Sequence, residues 1–352
     1  MERDLSHNEV TSAGAANEEK AGAANEEKAG AANEVAGAAK LLNQYIRALV
    51  VNIKQDNIKT NVNLIFDSGA VNGVLGTGAA LYIHNLEQMG YFKVNKVSGC
   101  SIGSLIALWY ICGCPEEMYN FSDTLFNYYK KHKNFYMYET IITEMVYQLF
   151  SSDDMSKIND RLYINYYDTK KCRNKVVHKY KNRKHLIRCI LRSSHVPFLT
   201  TSEHKYQGRY VDGIVPHFFT CAGAGAAGAA GAADTTCTNL FIKLINFTDP
   251  FNCLNVKREQ NIYSRLLSGI VGVNDFFVNG KTYLCSYVND RSYLTFIQMY
   301  VKKQVVFFFL FLIEWTMIIK KHIPESVQNT MLYNKMLLLS KSLWHYLQNK
   351  LV

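Results

Sequence analysis

An α/β fold built on a mostly parallel sheet is predicted by three features of the sequence. Two strand-turn-helix units follow one another between Asn61 and Ile111, each with small residues in its turn. Further apolar segments of strand length, Leu162 to Tyr167, Gly208 to Val211 and Leu240 to Phe247, alternate with helical stretches. With 352 residues and 48% hydrophobic content, the chain can bury a sizeable core. Successive units of this kind set parallel strands side by side and bring their turns to the carboxyl edge of the sheet.

In the first unit, Asn61 to Phe66 reads as a buried strand because Val62, Leu64, Ile65 and Phe66 are apolar. It ends in Asp67-Ser68-Gly69-Ala70-Val71-Asn72-Gly73, and a helix from Val74 to Met89 follows with Gly90 as its stop. In the second, an apolar approach ending at Val97 enters Gly99-Cys100-Ser101-Ile102-Gly103, and Ser104 to Ile111 continues as a helix. A serine in a tight turn between strand and helix is the setting of a nucleophile elbow. Side chains at Gly99 and Gly103 would collide with the strand and helix packed on the turn, and the helix aims its NH groups at the hydroxyl.

Before these units, Leu41 to Leu49 reads as a short helix docking on the main domain, and residues 13 to 40 repeat an Ala-Gly-Ala-Ala-Asn-Glu-Glu-Lys octad. The octad matches neither a heptad nor a solenoid period and carries little to bury, so residues 1–40 are expected to be a solvated, low-complexity tail. Residues 41–290 are expected to form the catalytic domain, interrupted at 221–233 by an Ala/Gly insertion in a surface loop. Within it, Glu116 to Lys131, Tyr138 to Phe150, His185 to Leu191 and Gln260 to Ser268 read as helices. Residues 291–352 are expected to be a helical C-terminal region. There an apolar run from Val305 to Ile319 is too short for a span of about 20 residues and contains Glu314, which favours a buried or interfacial helix. Met331 to Leu347 reads as a packing helix.

The chain carries 39 Lys plus Arg against 29 Asp plus Glu, a net charge of +10 that favours an anionic partner. Ten of those bases fall between Lys170 and Arg192, with no acid among them. A solvated hairpin and a contact with an anionic membrane surface both account for this segment; no nucleic-acid-binding motif accompanies it, so lipid ranks above nucleic acid as partner. Nine cysteines have neither disulfide-framework nor zinc spacing, and the N-terminus lacks the apolar core of a signal peptide. A cytoplasmic protein with peripheral membrane association is expected.

Three signals then combine: the glycine-containing turn at 67–73, the G-x-S-x-G elbow about 28 residues later, and Tyr210-Val211-Asp212-Gly213 preceded by Ser193-Ser194-His195-Val196-Pro197. Their order and spacing resemble the patatin-like phospholipase family over roughly Asn61 to Pro216. The resemblance implies a three-layer α/β/α fold with a mostly parallel central sheet, here followed by a helical extension. It also implies a serine esterase of phospholipase A type that cleaves phospholipid or other lipid esters through a Ser/Asp dyad, with no metal or cofactor. Carried onto this sequence, Ser101 is the nucleophile and Asp212 its proton acceptor, while Gly69 and Ala70 supply the oxyanion donors. Gly73, Gly99, Gly103 and Gly213 support the motifs, and Ser193, Ser194 and Pro197 position the loop beneath Asp212.

The family's turn commonly reads as three glycines, a small residue, Lys or Arg, and Gly. Here the matching residues are Ser68-Gly69-Ala70-Val71-Asn72-Gly73, so a Cβ stands at Ala70 and no cation stands at Asn72. After Asp212-Gly213, Ile214 takes the place of a common small residue. A catalytically silent lipid-binding or membrane-associated scaffold is the alternative these differences keep open. A Ser/His/Asp triad would need one of His217, His322 and His345, the histidines that follow Asp212. The first lies only five residues from Asp212, and the other two lie in the C-terminal helical region.

Overall fold

The computed structural model describes residues 40–114, 117–220, 237–246, 250–257, 259, 261–289 and 292–322, with Lys335, Leu338 and Ser342. The octad repeats up to residue 39 and the insertion at 221–233 lie outside the described residues. So does the expected helix from Met331 to Leu347, apart from those three positions, which are helical. The chain divides into two units at Val51/Asn52. Helix α1, over 40–50, belongs to the first unit and contains the stretch expected from Leu41 to Leu49. Residues 52–352 form the second, which therefore includes the region from 291 onward.

The second unit is a mixed α/β structure whose central sheet runs mostly parallel and is flanked by helices. Strand β1 (Asn61–Phe66) lies at its centre, buried at every position after Asn61. It pairs in parallel with β2 (Lys93–Gly99) on one side and β6 (Thr238–Ile242) on the other. Beyond β2 come β3 (Leu162–Asp168), parallel, and β4 (Arg173–Val177), antiparallel; beyond β6 comes β7 (Cys285–Val288), antiparallel. The order is β4-β3-β2-β1-β6-β7. A strand buried on both faces needs an unbroken apolar run, and β1 supplies it through Leu64, Ile65 and Phe66, none of them accessible to solvent.

Helices α2 (Gly73–Gln88) and α3 (Ile102–Cys112) follow β1 and β2, as the sequence predicts. Gly113, in the left-handed region at φ 78°, closes α3, and Gly90 at φ 80° follows α2. Helices α4 (Glu117–His132), α5 (Tyr138–Leu149) and α6 (Arg183–Ser193) lie within about two residues of the predicted helices at each end. Asn182 caps α6 by accepting a hydrogen bond from the His185 NH. The basic segment from Lys170 to Arg192 is the β4 edge of the β3/β4 hairpin plus α6, with eight of its ten basic residues exposed.

Two C-terminal elements are longer than the sequence suggests. Helix α7 spans Tyr263–Asn279, where the pattern indicated only Gln260 to Ser268. Helix α8 spans Tyr293–His322, so the apolar run from Val305 is the second half of a longer helix. Its stretch Tyr293–Thr316 is long and apolar enough to cross a membrane by length and composition, whereas the run from Val305 to Ile319 by itself is not. Polar side chains of α8 nevertheless bond to the domain: Lys302 to Asp67 and Glu314 to Lys205 as ion pairs, and Gln298 by accepting from Lys243.

Strand β5 is reduced to Tyr210–Val211, against the expected Gly208 to Val211, and its place in the sheet explains how two distant motifs meet. β4 occupies one edge of β3 over Ile164 to Asp168, so the partners on the other edge are β2 and β5. β2 ends with Gly99 opposite Ile164, and β5 pairs Val211 with Tyr167 further along the same edge. The chain therefore delivers Ser101 and Asp212 just past neighbouring points of one strand. Arg209 holds this arrangement with two hydrogen bonds to the buried Asp168, at 2.8 and 2.6 Å, and the pairing draws the carboxyl down to about 2.

The turn between β2 and α3 is possible only without side chains at its flanks. A Cβ on Gly99 would overlap the Gly103 carbonyl, and one on Gly103 would fall 2.5 Å from the Asp67 oxygen and 2.8 Å from that of Phe66. Gly103→Ala is therefore expected to lower stability by about 1 to 3 kcal/mol, read from the midpoint of urea unfolding. An unchanged midpoint would contradict the backbone contact between α3 and the end of β1.

Candidate active site

Ser101 sits between β2 and α3 at φ 54° and ψ −133°, outside the basins that ordinary residues favour. Two bonds hold it there. Its NH donates to the Ser193 carbonyl at 3.1 Å and to Ser193 Oγ at 3.0 Å. Ser193 Oγ in turn donates to the Asn165 carbonyl on β3, so the end of α6 pins the elbow to the sheet. The Ser101 carbonyl accepts from Ser104 Oγ at 2.6 Å.

The same short segment carries Asp212. Its NH donates to the His195 carbonyl at 3.1 Å, and the Gly213 NH donates to the Ser193 carbonyl at 3.3 Å. A Cβ on Gly213 would overlap the Asn165 carbonyl, and one on Gly73 would overlap the Ile102 side chain, so both glycines mark close approaches. The Ile214 NH donates to Asp212 Oδ1 at 2.7 Å although Ile214 itself lies at φ 63°, a costly position for a β-branched residue. Pro197 lines the cavity beside Asp212, while Ser194 Oγ turns back to the Ile190 carbonyl of α6.

Loss of water around its carboxyl pushes Asp212 up to about 6. A hydrogen bond from the Ser101 hydroxyl, the bond from Ile214 and the charge of Lys302 oppose the shift, and the charge of Asp67 adds to it. Ser101 and Asp212 are thus brought together, with a carboxylate poised near neutrality beside a hydroxyl.

The turn after β1 faces the same place. Gly69 and Ala70 line one cavity with Ser101 and Asp212, and among the described residues the NH groups of Gly69, Ala70 and Ile102 have no hydrogen-bond partner. Ala70 adopts φ 45°, so the position where the sequence adds a Cβ does require the left-handed region. Gly69, at φ −171°, is needed for space, because a Cβ there would fall 2.5 Å from Leu244 Cβ.

Ser101 lies where two cavities meet. One, of about 210 Å³, runs past Asp212 and His195 to Ile245, Leu254, Val306 and Leu310. The other, of about 60 Å³, is walled by Phe121, Leu125 and Phe126 of α4 and by Phe135 and Tyr138. Both are almost entirely apolar, and the α4 wall was not legible as part of a site: its sequence shows only a helical apolar face. Lys302, on α8, gave no signal beyond a lysine beside an apolar run.

Of the late histidines, the two that are described line neither cavity. His217 stacks on Tyr163 at 5.6 Å, His322 bonds the Ile318 carbonyl of its own helix, and His345 lies outside the described residues. His195 does line the larger cavity; burial holds its imidazole down at about 4, and Thr200 Oγ1 lies 3.3 Å from its Nδ1.

Residues 64–216 match a family model described as Patatin-like phospholipase. A comparison with curated proteins finds no match for the chain.

The raised acid makes a thermodynamic prediction. A carboxyl that titrates near 6 when folded and near 3.8 when unfolded opposes folding above pH 6, and that penalty fades as pH falls toward 4. Asp212→Asn is therefore expected to stabilise the protein at pH 8 by about 1 to 3 kcal/mol, and much less at pH 4.5. Thermal unfolding of both proteins across this range checks it; a variant less stable than the wild type at pH 8 would contradict the desolvated carboxylate.

Proposed function

Because residues 64–216 match the Patatin-like phospholipase family model, we propose that the chain is a lipid acyl hydrolase of phospholipase A type working through Ser101 and Asp212. The observation that carries the proposal is the strained Ser101 in one apolar cavity with a carboxyl group that accepts its hydrogen bond and titrates near 6.

In this mechanism Asp212 takes the Ser101 proton as Oγ attacks the ester carbonyl carbon. The NH groups of Gly69 and Ala70 stabilise the resulting oxyanion, a contribution of about 2.7 to 4 kcal/mol per donor in comparable sites. The tetrahedral intermediate collapses with cleavage of the carbon-oxygen bond to the alcohol, which leaves with the proton returned by Asp212. Water then gives a proton to Asp212 and attacks the acyl-serine; collapse releases the fatty acid, and the proton passes back to Ser101 Oγ. The two apolar cavities suit an acyl chain and the apolar part of a second one. Substrate is taken from an anionic membrane surface, toward which the exposed bases of β4 and α6 supply attraction of about 1 kcal/mol each where well placed.

The test is fatty-acid release from mixed anionic phospholipid vesicles. Wild type is expected to turn over with an acid limb near pH 6, and Ser101→Ala and Asp212→Asn are each expected to lose about 10³-fold or more. Equal vesicle binding by all three proteins with no turnover by any would instead make the chain a lipid-binding scaffold.

A further inference from the structure

The larger cavity contains one ammonium group, and it comes from far outside the matched stretch. Lys302, on α8, is buried and donates from Nζ to Asp67 Oδ1 at 2.6 Å and to Ser68 Oγ at 2.7 Å. Asp67 Oδ1 also accepts from the Ser68 NH at 2.8 Å, so a single carboxylate oxygen organises the start of the turn. Ser68 Oγ then donates to the Ile214 carbonyl at 3.1 Å, and the Ile214 NH donates to Asp212 Oδ1 at 2.7 Å. The chain of bonds runs Lys302, Ser68, Ile214, Asp212, and it joins the turn that carries Gly69 and Ala70 to the loop that carries the acid.

From this network we infer that Lys302 is a positioning residue for the proposed hydrolysis, fixing the oxyanion turn against the Asp212 loop and supplying the positive charge that this turn lacks. Residues 67–73 contain one acid and no base. The cations that reach the turn come from elsewhere in the chain: Lys302 at Asp67, and Arg265 of α7 at the Asn72 side-chain oxygen. Arg265 is committed further by its ion pair with Glu259, whereas Lys302 lines the cavity itself. Without Lys302, Asp67 would be a buried anion beside an oxyanion site, repelling the charge that the reaction develops. The strained φ of Ile214 fits the same reading, because its carbonyl and its NH are both engaged in the bridge.

The titratable groups facing Lys302 are Asp67 at the end of β1, Asp212 after β5, Lys243 after β6, and the thiols of Cys100 and Cys253. Burial pushes both thiols up, so near neutrality the charges that bear on Asp212 are those of Lys302 and Asp67. Lys302 favours the carboxylate form, and its removal raises the pH at which the base becomes available.

The inference rests on the proposed dyad, and its test separates the two. In vesicle hydrolysis, Lys302→Met is expected to move the acid limb upward by about one pH unit and to lower kcat about tenfold or more, with KM within about threefold. Lys302→Arg, which keeps the cation, is expected to retain the wild-type acid limb. A folded Lys302→Met protein with wild-type acid limb and kcat would overturn the inference while leaving the dyad intact; absence of Ser101-dependent turnover in the wild type would overturn both. Should Lys302→Met fail to fold with Asp67 unpaired, Asp67→Asn/Lys302→Met removes both charges together. That double variant is expected to lose kcat about tenfold because Met donates nothing to Ser68, and wild-type kcat in it would overturn the bridge.

Discussion

The structure depends on a backbone contact that only glycine permits. Gly103, at the start of α3, lies against the carbonyls of Phe66 and Asp67, and Gly99 lies against the carbonyl of Gly103. The ends of β1 and β2 and the first turn of α3 are thereby forced to one point of the sheet. Ser101 is left in a conformation that costs on the order of 1 to 3 kcal/mol and is held by its neighbours. The same crowding starts α3 directly after Ser101, so its first NH groups, at the positive end of the helix, follow the serine. Strain at the serine and a helix start beside it are two results of one packing constraint.

A second constraint brings the acid to that point. β3 serves as a ruler: β2 uses the first part of one of its edges and β5 the last part, so residues 101 and 212 emerge side by side although far apart in sequence. The Ser193 to His195 segment then bonds to both, through the NH groups of Ser101, Asp212 and Gly213. Because these donors and acceptors are backbone groups, they fix distances without regard to most side chains. That is why β5 needs only two residues, and why the bidentate grip of Arg209 on Asp168 matters at its outer end.

Much of this was legible because it is local. Asn61 to Phe66 has the bounds read from its apolar run, and the two turns announce themselves through glycine and serine at fixed offsets. The Asp212 loop was legible only as part of an ordered set of motifs, since a Tyr-Val-Asp-Gly strand end is common on its own. What escaped is either short or distant. β7 has four residues and joins the sheet only at its edge, so no periodicity marks it. The first half of α8 mixes Tyr293, Thr295, Gln298 and two lysines with its apolar residues, and its burial against the site cannot be read from that pattern. The bond between Lys302 and Asp67 spans 235 positions and leaves no trace at either end. A carboxylate closing a buried strand nevertheless implies a cation somewhere, because an unpaired buried charge costs several kcal/mol.

Helix α8 presents two unlike faces. Lys302, Val306 and Leu310 face the cavity, while Phe308, Phe311 and Trp315 are exposed. Glu314 is the exception that confirms the division, since it sits among apolar residues and is answered by Lys205 of the domain. A helix bound only by apolar contacts could leave the domain for a lipid phase at little cost, because hydrocarbon is as good a solvent for Leu and Phe as a protein core. The two ion pairs remove that indifference. Moving α8 away would strand Asp67, which is inaccessible to solvent, and would separate Glu314 from its partner, so the charges register the helix on the domain while its outer face remains free to meet an apolar phase. The apolar length of α8 and its attachment to the site are therefore compatible: composition governs what its outer face tolerates, and two buried or half-buried charges govern where its inner face stays.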